Sequence, residues 1–500
     1  MTRLSERGRL LSLLVIVLVP FAIVALVVGA GLDHRTSRPL ALPSPSASVS
    51  ASPCVLELCL PSISPIPSIP VQVLVSPPPA VQLSPRPRPV PVPVIAPPPR
   101  APGDWPMFGY DNGHTGVNPQ DAQVTAANFA ELRPSWADSG AAGLPAIGAG
   151  HVFLPDLGFV GVHADSATCS QPFLSCPEQW RLSRTGSDGL DGMFSAALVR
   201  GQVVIPDQYG NVYAFSETPC GRPNCTPAWT GQTVGRVSGE LAVDGPDFFV
   251  GTSNVGNTTQ IDGRLYAFPL VGCGGASCPP AWVGRIPGGG ALTGVATGGG
   301  RAFVADGLLR AFPSGGCGAA ECPPAWTAHV SAEDVPTYAG GTVFGSGYDG
   351  SSGATNLYAV DAGSGVVRWN VTAYQGQRGG TYWTPHPSVN GGSVYIFDPA
   401  GRVRVFDANT GTARWTAPGT TRFGAGPVIA DGLVFVALPA DANGNGGGIA
   451  IYGAGGCGAP SCVPLATLPS GGNPAPGAVA AVSAGRVYTD TVEVYALPGH

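Results

Sequence analysis

Cysteine is the residue type in this sequence best suited to covalent or metal chemistry, because its twelve copies fall into close pairs. Within the part of the sequence after residue 103, four pairs share the spacing Cys-x4-Cys and one pair has a longer gap. A tight turn easily meets the Cα separation of about 4.4–6.8 Å that a disulfide requires, and oxidised pairs are typical of proteins outside the cytoplasm. The predicted disulfides join Cys169 to Cys176, Cys220 to Cys225, Cys273 to Cys278, Cys317 to Cys322, and Cys457 to Cys462.

Zinc is the alternative reading of these cysteines. It requires two pairs that converge on one ion, whereas the pairs lie in different repeats, so we favour disulfides. Cys54 and Cys59 have the same spacing near the N-terminus, where we expect a local disulfide; a link between two chains remains the alternative.

Other chemistry is sparse. The seven histidines are scattered and no Ser-His-Asp set stands out, so no catalytic residue is predicted; we expect His114 to be structural. Asp441, Asn443 and Asn445 begin like a calcium loop, but no Glu closes it, and a Gly-rich hairpin loop is the simpler interpretation. No metal ligand is predicted.

The basic residues restrict the possible functions. All 25 of them are Arg, and the formal net charge is −6. Without Lys there can be no Schiff base and no lysine of a phosphate-binding loop. Nucleic-acid binding depends on a basic surface, so no nucleic-acid partner is expected.

The elements that carry the cysteines are repeated β-hairpins. Eight hairpins begin near Gly150, Gly201, Pro246, Gly300, Gly341, Gly392, Gly432 and Gly485, each with β-branched and aromatic residues alternating about a turn. Six are followed by a Trp, and Leu465 takes that place after the seventh. The spacings of 43 to 53 residues between these Trp match one four-stranded blade of a β-propeller each. The predicted blade-docking residues are Trp136, Trp180, Trp229, Trp282, Trp326, Trp369 and Trp415.

The ends of the repeat array predict how the ring closes. Trp136 precedes the first hairpin, while the eighth hairpin runs to His500 without an outer strand of its own. We therefore expect the segment ending at Trp136 to supply that strand, so that no open sheet edge remains between the first and last blades. The predicted fold of residues 104–500 is all-β, an eight-bladed β-propeller.

The first 103 residues have a different character. Arg3, Arg7 and Arg9 precede an uncharged apolar run over residues 10–32, which is long enough to span a bilayer and predicts a transmembrane signal anchor with residues 1–9 in the cytoplasm. A cleaved signal peptide is the alternative. Twenty of the 70 residues from His34 to Gly103 are Pro, which predicts that residues 33–103 form an extended extracytoplasmic stalk of up to roughly 200 Å. The sequence thus predicts a single-pass protein of the cell membrane with its propeller outside.

The turn motif resembles that of a known superfamily. Two blades carry [AV]-x-Asp-x-x-[Ser/Thr]-Gly-x-x-x-Trp, with Asp361 and Trp369 in one and Asp407 and Trp415 in the other. This pattern resembles the tryptophan-docking repeat of propellers of the pyrroloquinoline-quinone type, which includes quinoprotein dehydrogenases and scaffold propellers of outer-membrane assembly. The segment from Asp104 to Trp136 is similar to the start of the polyvinyl-alcohol dehydrogenase branch.

The resemblance implies two functions of different classes. One is a non-catalytic binding or scaffold module whose loops hold a protein, a glycan or a small ligand. The alternative is a quinone-dependent alcohol dehydrogenase with pyrroloquinoline quinone and Ca²⁺ on the propeller axis. Asp188, Asp191, Trp383 and His386 precede inner strands and could face that axis, yet they also read as ordinary turn and strand-entry residues. The adjacent cysteines and calcium ligands of such enzymes find no match, so the scaffold is favoured and no cofactor is assigned.

Overall fold

The computed structural model describes the propeller and not the N-terminal segments. The described residues are 101, 103–138, 143–156, 158–165, 176–184, 195–253, 263–286, 290, 292–376, 386–398, 401–417, 426–438, 447–469, 478–490 and 493–500. They belong to one compact unit, Pro89–His500. The predicted anchor, most of the stalk, and Cys54 and Cys59 lie outside the described residues. Within the described ranges, no helix is long and apolar enough to cross a membrane.

Eight antiparallel sheets of four strands form the blades, as predicted. From the innermost to the outermost strand, blades 1 to 4 are Ala146–Gly148, His151–Pro155, Val160–Ala164 and Glu178–Leu182; Ala197–Val199, Gln202–Pro206, Asn211–Ser216 and Trp229–Gln232; Ala242–Asp244, Asp247–Ser253, Arg264–Pro269 and Trp282–Arg285; and Val295–Gly298, Arg301–Ala305, Gly307–Pro313 and Trp326–Ala332. Blades 5 to 8 are Thr337–Ala339, Thr342–Asp349, Ala354–Asp361 and Val367–Gln375; Ser388–Asn390, Ser393–Phe397, Val403–Asp407 and Ala413–Thr416; Val428–Ala430, Leu433–Leu438, Gly448–Gly453 and Ala466–Pro469; and Val479–Ser483, Arg486–Thr489, Glu493–Ala496 and Arg133–Ala137. The other elements are the short strands Val117–Asn118, Asn224–Cys225, Arg236–Val237, Ser277–Cys278 and Glu321–Cys322, and the 3-10 helix Phe129–Glu131.

A two-residue turn joins the first and second strands of every blade. In seven blades both turn residues have positive φ, as in Gly340 (54°) and Gly341 (79°) of blade 5; in blade 3 only the first, Gly245, does. Such primed turns match the right-handed twist of the flanking strands. Because the turns are equivalent, a position counted back from each turn lies at the same height on the inner wall in every blade.

The first and last blades are joined as the sequence predicted. The outer strand of blade 8 is Arg133–Ala137, and Trp136 pairs with Val494 in the third strand. Trp136 is 1% exposed and belongs to one continuous cluster of buried residues drawn from blades 7, 8 and 1. The N-terminal strand therefore closes the ring within a sheet rather than across a seam between two sheets.

Tryptophan and glycine form the contact between neighbouring blades. The Trp of one blade lies against a glycine of the next: Trp229 on Gly272, Trp282 on Gly316, Trp326 on Gly365, Trp369 on Gly411, and Trp415 on Gly456. A Cβ on any of these glycines would fall within 3 Å of the indole ring, and each glycine has a positive φ. The motif therefore requires Gly, because there is no room for a Cβ beside the indole ring and because the backbone φ is positive.

Blade 7 departs from the predicted motif. Its fourth strand begins at Ala466, which pairs with Ile451 as Trp229 pairs with Ala214 in blade 2. Ala466 therefore takes the position of the Trp, and the assignment of Leu465 was wrong by one residue. Leu465 is 57% exposed, because the docking side chain has become a methyl group and the preceding residue points to solvent.

Candidate functional site

The segment that precedes the first blade fills the central channel of the propeller. Residues 105–118 run around the inside of the ring and accept hydrogen bonds from the N–H group two positions before the turn in six blades. These bonds are Ile147 to Trp105 O, Leu198 to Pro106 O, Thr297 to Asn112 O, Tyr338 to Gly113 O, Val389 to Thr115 O, and Ile429 to Gly116 O, at 2.7–2.9 Å. In blade 8, the carbonyl of the same position, Val482, accepts from Asn118 Nδ2 at 2.8 Å. We call residues 105–118 the plug; it pairs backbone groups that the inner edges of the sheets would otherwise leave open.

One carboxylate shapes the plug. Asp111 Oδ1 accepts hydrogen bonds from the N–H groups of Gly113 and Thr115, both at 3.0 Å, and Oδ2 accepts from Thr115 Oγ1 at 2.8 Å. Gly113 permits the close approach of the plug to blade 5, because a Cβ there would collide with the carbonyl oxygen of Tyr338. Burial raises the pKa of Asp111 above its usual value, while these hydrogen bonds act in the opposite direction.

A second layer of equivalent positions lines the channel below the plug. Counted five residues before the turn in seven blades, and four residues before it in blade 8, where a β-bulge shifts the register, this layer contains Leu144, Ser195, Glu240, Gly294, Val335, His386, Gly426 and Ala480. Phe108 of the plug packs against Leu144, Val335 and Ala480 in one buried cluster. Leu144 and Ala480 come from the neighbouring blades 1 and 8, and Val335 comes from blade 5 across the ring. The polar side chains of the layer are those of Ser195, Glu240 and His386.

The polar groups of this layer are deeply buried. Glu240 is 4% exposed and one carboxylate oxygen accepts the N–H of Ser195 at 3.1 Å; burial raises the pKa of Glu240 to about 7. His386 is 4% exposed, and its ring nitrogens have no hydrogen-bond partner. Burial, together with the nearby His114, lowers the pKa of His386 to about 3.

His114 belongs to the plug and is fully buried. Its Nε2 lies 3.2 Å from the carbonyl oxygen of Leu241, the residue after Glu240, and burial lowers its pKa to about 4. The sequence indicated a structural role for His114, and its place inside the plug supports that role. Of the other residues expected near the axis, His386 lines the channel, whereas Asp188, Asp191 and Trp383 lie outside the described residues, as do Asp441, Asn443 and Asn445.

The residues present do not fit a quinone and its calcium ion at this depth of the channel. The axis holds the ring of Phe108, whose centroid lies 4.6 Å from that of His386 and 5.1 Å from that of His114. Glu240 is the single carboxylate in the layer. No group of three His, Cys, Asp or Glu side chains in the described ranges is placed to hold a metal ion.

The cysteines lie on the outer rim, away from this site. Disulfides join Cys220 to Cys225, Cys273 to Cys278, Cys317 to Cys322, and Cys457 to Cys462, with Cα separations of 5.5–5.8 Å. Cys176 is also disulfide-bonded, while Cys169 lies outside the described residues. The four predicted Cys-x4-Cys disulfides of the repeats are thus present, while the pairing of Cys169 with Cys176 and of Cys54 with Cys59 stays a prediction.

The cysteine turns also have a role that sequence reasoning missed. In three of them the second Cys forms a short strand that pairs in parallel with the outer strand of the preceding blade, at Asn224–Cys225, Ser277–Cys278 and Glu321–Cys322. In the fourth turn, Ser461 forms a single parallel bridge to Thr416. Each turn covers the exposed sheet edge of its neighbour, which a natural β-protein must protect. A parallel pair between blades leaves no local sequence pattern, so only the structure reveals it.

Comparisons with known proteins agree with the fold. Residues 284–438 match the family described as "Outer membrane protein assembly factor BamB". The quinohemoprotein alcohol dehydrogenase ADHIIG from Pseudomonas putida HK5 is similar at a TM-score of 0.55 and 13% identity, over 80% of this chain and 81% of that one. The computationally designed Ika8 protein is similar at a TM-score of 0.51 and 13% identity, over 73% of this chain and 98% of that one. At such identities the structural likeness establishes the fold alone.

One sequence relative is a protein kinase. Over 83 residues this chain is 37% identical to the serine/threonine-protein kinase AfsK of Streptomyces griseus, a match that covers 17% of this chain and 10% of the kinase. The chain therefore spans only a small part of that curated relative.

Proposed function

We propose that this chain, a β-propeller of the pyrroloquinoline-quinone-like repeat superfamily, is a non-catalytic binding or scaffold module. Its partner is a protein, a glycan or a small molecule held by loops of the propeller. The observation that carries the proposal is the plug: the chain fills its own channel with residues 105–118, and Phe108 occupies the axis where the enzymes of the superfamily would hold their cofactor.

The position of the chain ends favours one face for binding. Gly103 lies beside Ala484 in the inner turn of blade 8, and His500 Nδ1 is 3.2 Å from the carbonyl oxygen of Ala484. Gly103 and His500 therefore both lie on the face of the inner turns. The opposite face remains for a partner; among its loops, the structure describes residues 207–210 of blade 2 and the connection 233–241 to blade 3.

That opposite face carries an exposed aromatic group on a rigid turn. Tyr209 is 53% exposed, and the guanidinium of Arg236 lies 5.9 Å from its ring centroid. Asp207 holds the turn, since one of its oxygens accepts the N–H groups of Tyr209 and Asn211, both at 2.9 Å. Exposed aromatic and Arg side chains on a fixed frame are the kind of groups that anchor binding interfaces.

We also propose that residues 10–32 anchor the propeller in the cell membrane and that residues 33–103 form a stalk outside the cytoplasm. The disulfides on the rim support an oxidising environment. The family described as an outer-membrane assembly factor supports a scaffold in such a place. Protease digestion of intact cells tests this: the propeller should be removed from the membrane fraction, and a chain lacking residues 10–32 should not remain there.

Photo-crosslinking on opposite faces tests the scaffold role. A photoreactive residue at Tyr209 should give a discrete crosslinked product on intact cells. The same residue at Arg200, in the inner turn of the same blade, is the matched control and should give none. Equal products from both positions would contradict a binding face opposite the plug.

Reconstitution tests the enzymatic alternative. The full chain is incubated with pyrroloquinoline quinone and Ca²⁺, and alcohol-dependent reduction of an artificial electron acceptor is recorded beside a quinohemoprotein alcohol dehydrogenase as the positive control. We expect no turnover, because a quinone oxidising an alcohol needs a base and a polarising cation close to it. Turnover that Glu240→Gln abolishes would overturn the scaffold assignment.

A further inference from the structure

Two buried imidazoles pack against one phenyl ring of the plug. His114 comes from the plug and His386 from blade 6, and both contact Phe108, with ring centroids 5.1 Å and 4.6 Å from that of Phe108. Phe108 in turn closes the axis against apolar side chains of three other blades. Any change in these imidazoles therefore acts on the residue that blocks the channel.

The contacts of both rings suit the neutral form. The carbonyl oxygen of Leu241 can only accept a hydrogen bond, so Nε2 of His114 carries the proton and Nδ1 is left without a partner. His386 has no partner at either nitrogen. A protonated imidazole would have to bury a positive charge with at most one acceptor, which is costly.

The described elements around the two rings carry the carboxylates of Glu240, Asp111 and Asp334. Glu240 of blade 3 has its pKa raised to about 7 by burial, so it holds its own proton at the acidic pH where histidine titrates. Asp111 of the plug accepts hydrogen bonds from Gly113 and Thr115, and Asp334 of blade 5 accepts one from Ser346 Oγ. None of the three carboxylates is hydrogen-bonded to either ring, because the ring nitrogens have no partner apart from the contact of His114 Nε2 with Leu241 O.

The backbone of the plug stores strain. Tyr110 and His114 both have positive φ, 76° and 56°, although neither is glycine. Such residues persist only where their surroundings hold them, because this backbone conformation is unfavourable for a residue with a Cβ. Release of the plug would relieve this strain, while the loss of its bonds to the inner strands opposes release.

We propose that residues 105–118 form an acid-released plug, in which protonation of His114 and His386 frees the segment and opens the central channel while the ring of blades stays folded. The inference rests on the geometry of the channel and is independent of the proposed binding role. Its trigger is a proton taken up from solvent when the imidazoles are exposed by opening.

The pKa values of His114 and His386 determine whether a lower pH favours the open or the closed plug. In the closed state they are depressed to about 4 and about 3, while an exposed imidazole titrates near its ordinary value of 6.5. The closed state is thus fully favoured above about pH 6.5 and loses that preference as the pH falls toward 4. At pH 5 each imidazole should raise the ratio of open to closed plug about 30-fold over pH 8. Opening also exposes Glu240, whose raised pKa favours the closed plug by about 70-fold at pH 5, so the net rise should be about 10-fold.

Amide hydrogen exchange on the full chain tests this. The amides to follow are those that donate to the plug, such as Ile147, Tyr338 and Ile429, after correction for the intrinsic effect of pH on exchange. Their protection should fall by the stated factor between pH 8 and pH 5. The amide of Tyr358, in the third strand of blade 5, reports on the blades themselves and should keep its protection.

Substitutions distinguish the acid release of the plug from a general loss of stability at acidic pH. His386→Leu and His114→Asn should each remove about a 30-fold contribution and abolish the release at acidic pH, and the double variant should gain protection between pH 8 and pH 5; Asn is suited to the positive φ at position 114. His329→Asn removes an exposed histidine and should leave the full response. Protection that does not depend on pH, a response retained by the double variant, or loss of protection at Tyr358 together with the plug would each overturn the proposal.

Discussion

Asp165 in the first blade and Arg486 in the last blade form a buried ion pair across the closure of the ring. Arg486 Nη1 donates to Asp165 Oδ1 at 2.8 Å, and both side chains are 5% exposed. Tyr488 Oη donates to the same oxygen at 2.5 Å. Asp165 lies one residue after the position of Asp361 and Asp407 and aligns with Ala362 and Ala408, because the N–H of each donates to the second residue of its inner turn. The carboxylate of Asp165 joins two residues that are 321 positions apart in sequence.

Removal of this carboxylate should weaken the closure. Asp165→Asn leaves the buried guanidinium of Arg486 without its counter-charge, and breaking a buried pair in this way costs about 3–5 kcal/mol. The free energy of unfolding in denaturant is the measurement. Glu321→Gln is the control, because it breaks an ion pair with Arg285 whose side chains are 52% and 58% exposed and which should contribute at most about 1 kcal/mol. Equal losses in the two variants would contradict the role given to Asp165.

The plug should not tolerate a side chain at Gly113. In Gly113→Ala the new methyl group would collide with the carbonyl oxygen of Tyr338, and overpacking of this kind costs about 1–3 kcal/mol. Gly315→Ala is the control, because nothing lies within 4 Å of the position its Cβ would take, and it should change stability by at most about 0.5 kcal/mol. The measurement is the melting temperature of each variant in thermal unfolding. The same melting temperature for both would show that the plug is not tightly packed at Gly113.

A rim disulfide should protect the neighbouring blade. Cys273→Ser with Cys278→Ser should lower the free energy of unfolding by about 2 kcal/mol in the chain-entropy model. It should also speed hydrogen exchange at Thr230, whose N–H donates to Ala276 O within the same turn. The amide of Val283, which donates to Ala320 O beside the next disulfide, is the internal control and should not change. Faster exchange at both amides would indicate general loosening instead.

Glu240 should make stability depend on pH. Its pKa is raised from 4.5 to about 7 by burial, so the folded protein holds a proton that the unfolded chain releases above about pH 4.5. The contribution of Glu240 is thus fully present below pH 4.5 and is lost as the pH rises to about 7, by up to about 3 kcal/mol. The difference in unfolding free energy between the wild type and Glu240→Gln should move by that amount in favour of the variant between pH 4.5 and pH 8. The histidines titrate in both proteins and cancel. Glu131→Gln, at an exposed position, should give a difference that does not vary with pH.

The local pattern of this sequence was enough to determine the blades. A hairpin with one buried face has a period of two and a turn that needs positive φ, and both can be read from residues close together, such as those around Gly341 or Gly392. Trp136 predicted how the ring closes. The last blade lacks its outer strand, and the segment ending at Trp136 is a strand that belongs to no other blade, so the second can complete the first. The disulfides followed from cysteines five residues apart.

Tertiary structure alone decided what lies on the axis. Ser195, Glu240 and His386 belong to three different blades. Whether they lie in one layer depends on how those blades are arranged around the ring, which the spacing of residues within one blade does not reveal. The sequence of residues 105–118 read as a family signature; its role as a plug arises because eight inner strands leave their edges open toward one centre. The pairing of Asp165 with Arg486 was hidden for the same reason, since it joins the two ends of the chain, and burial in the channel, not residue type, sets the pKa values of His114, His386 and Glu240.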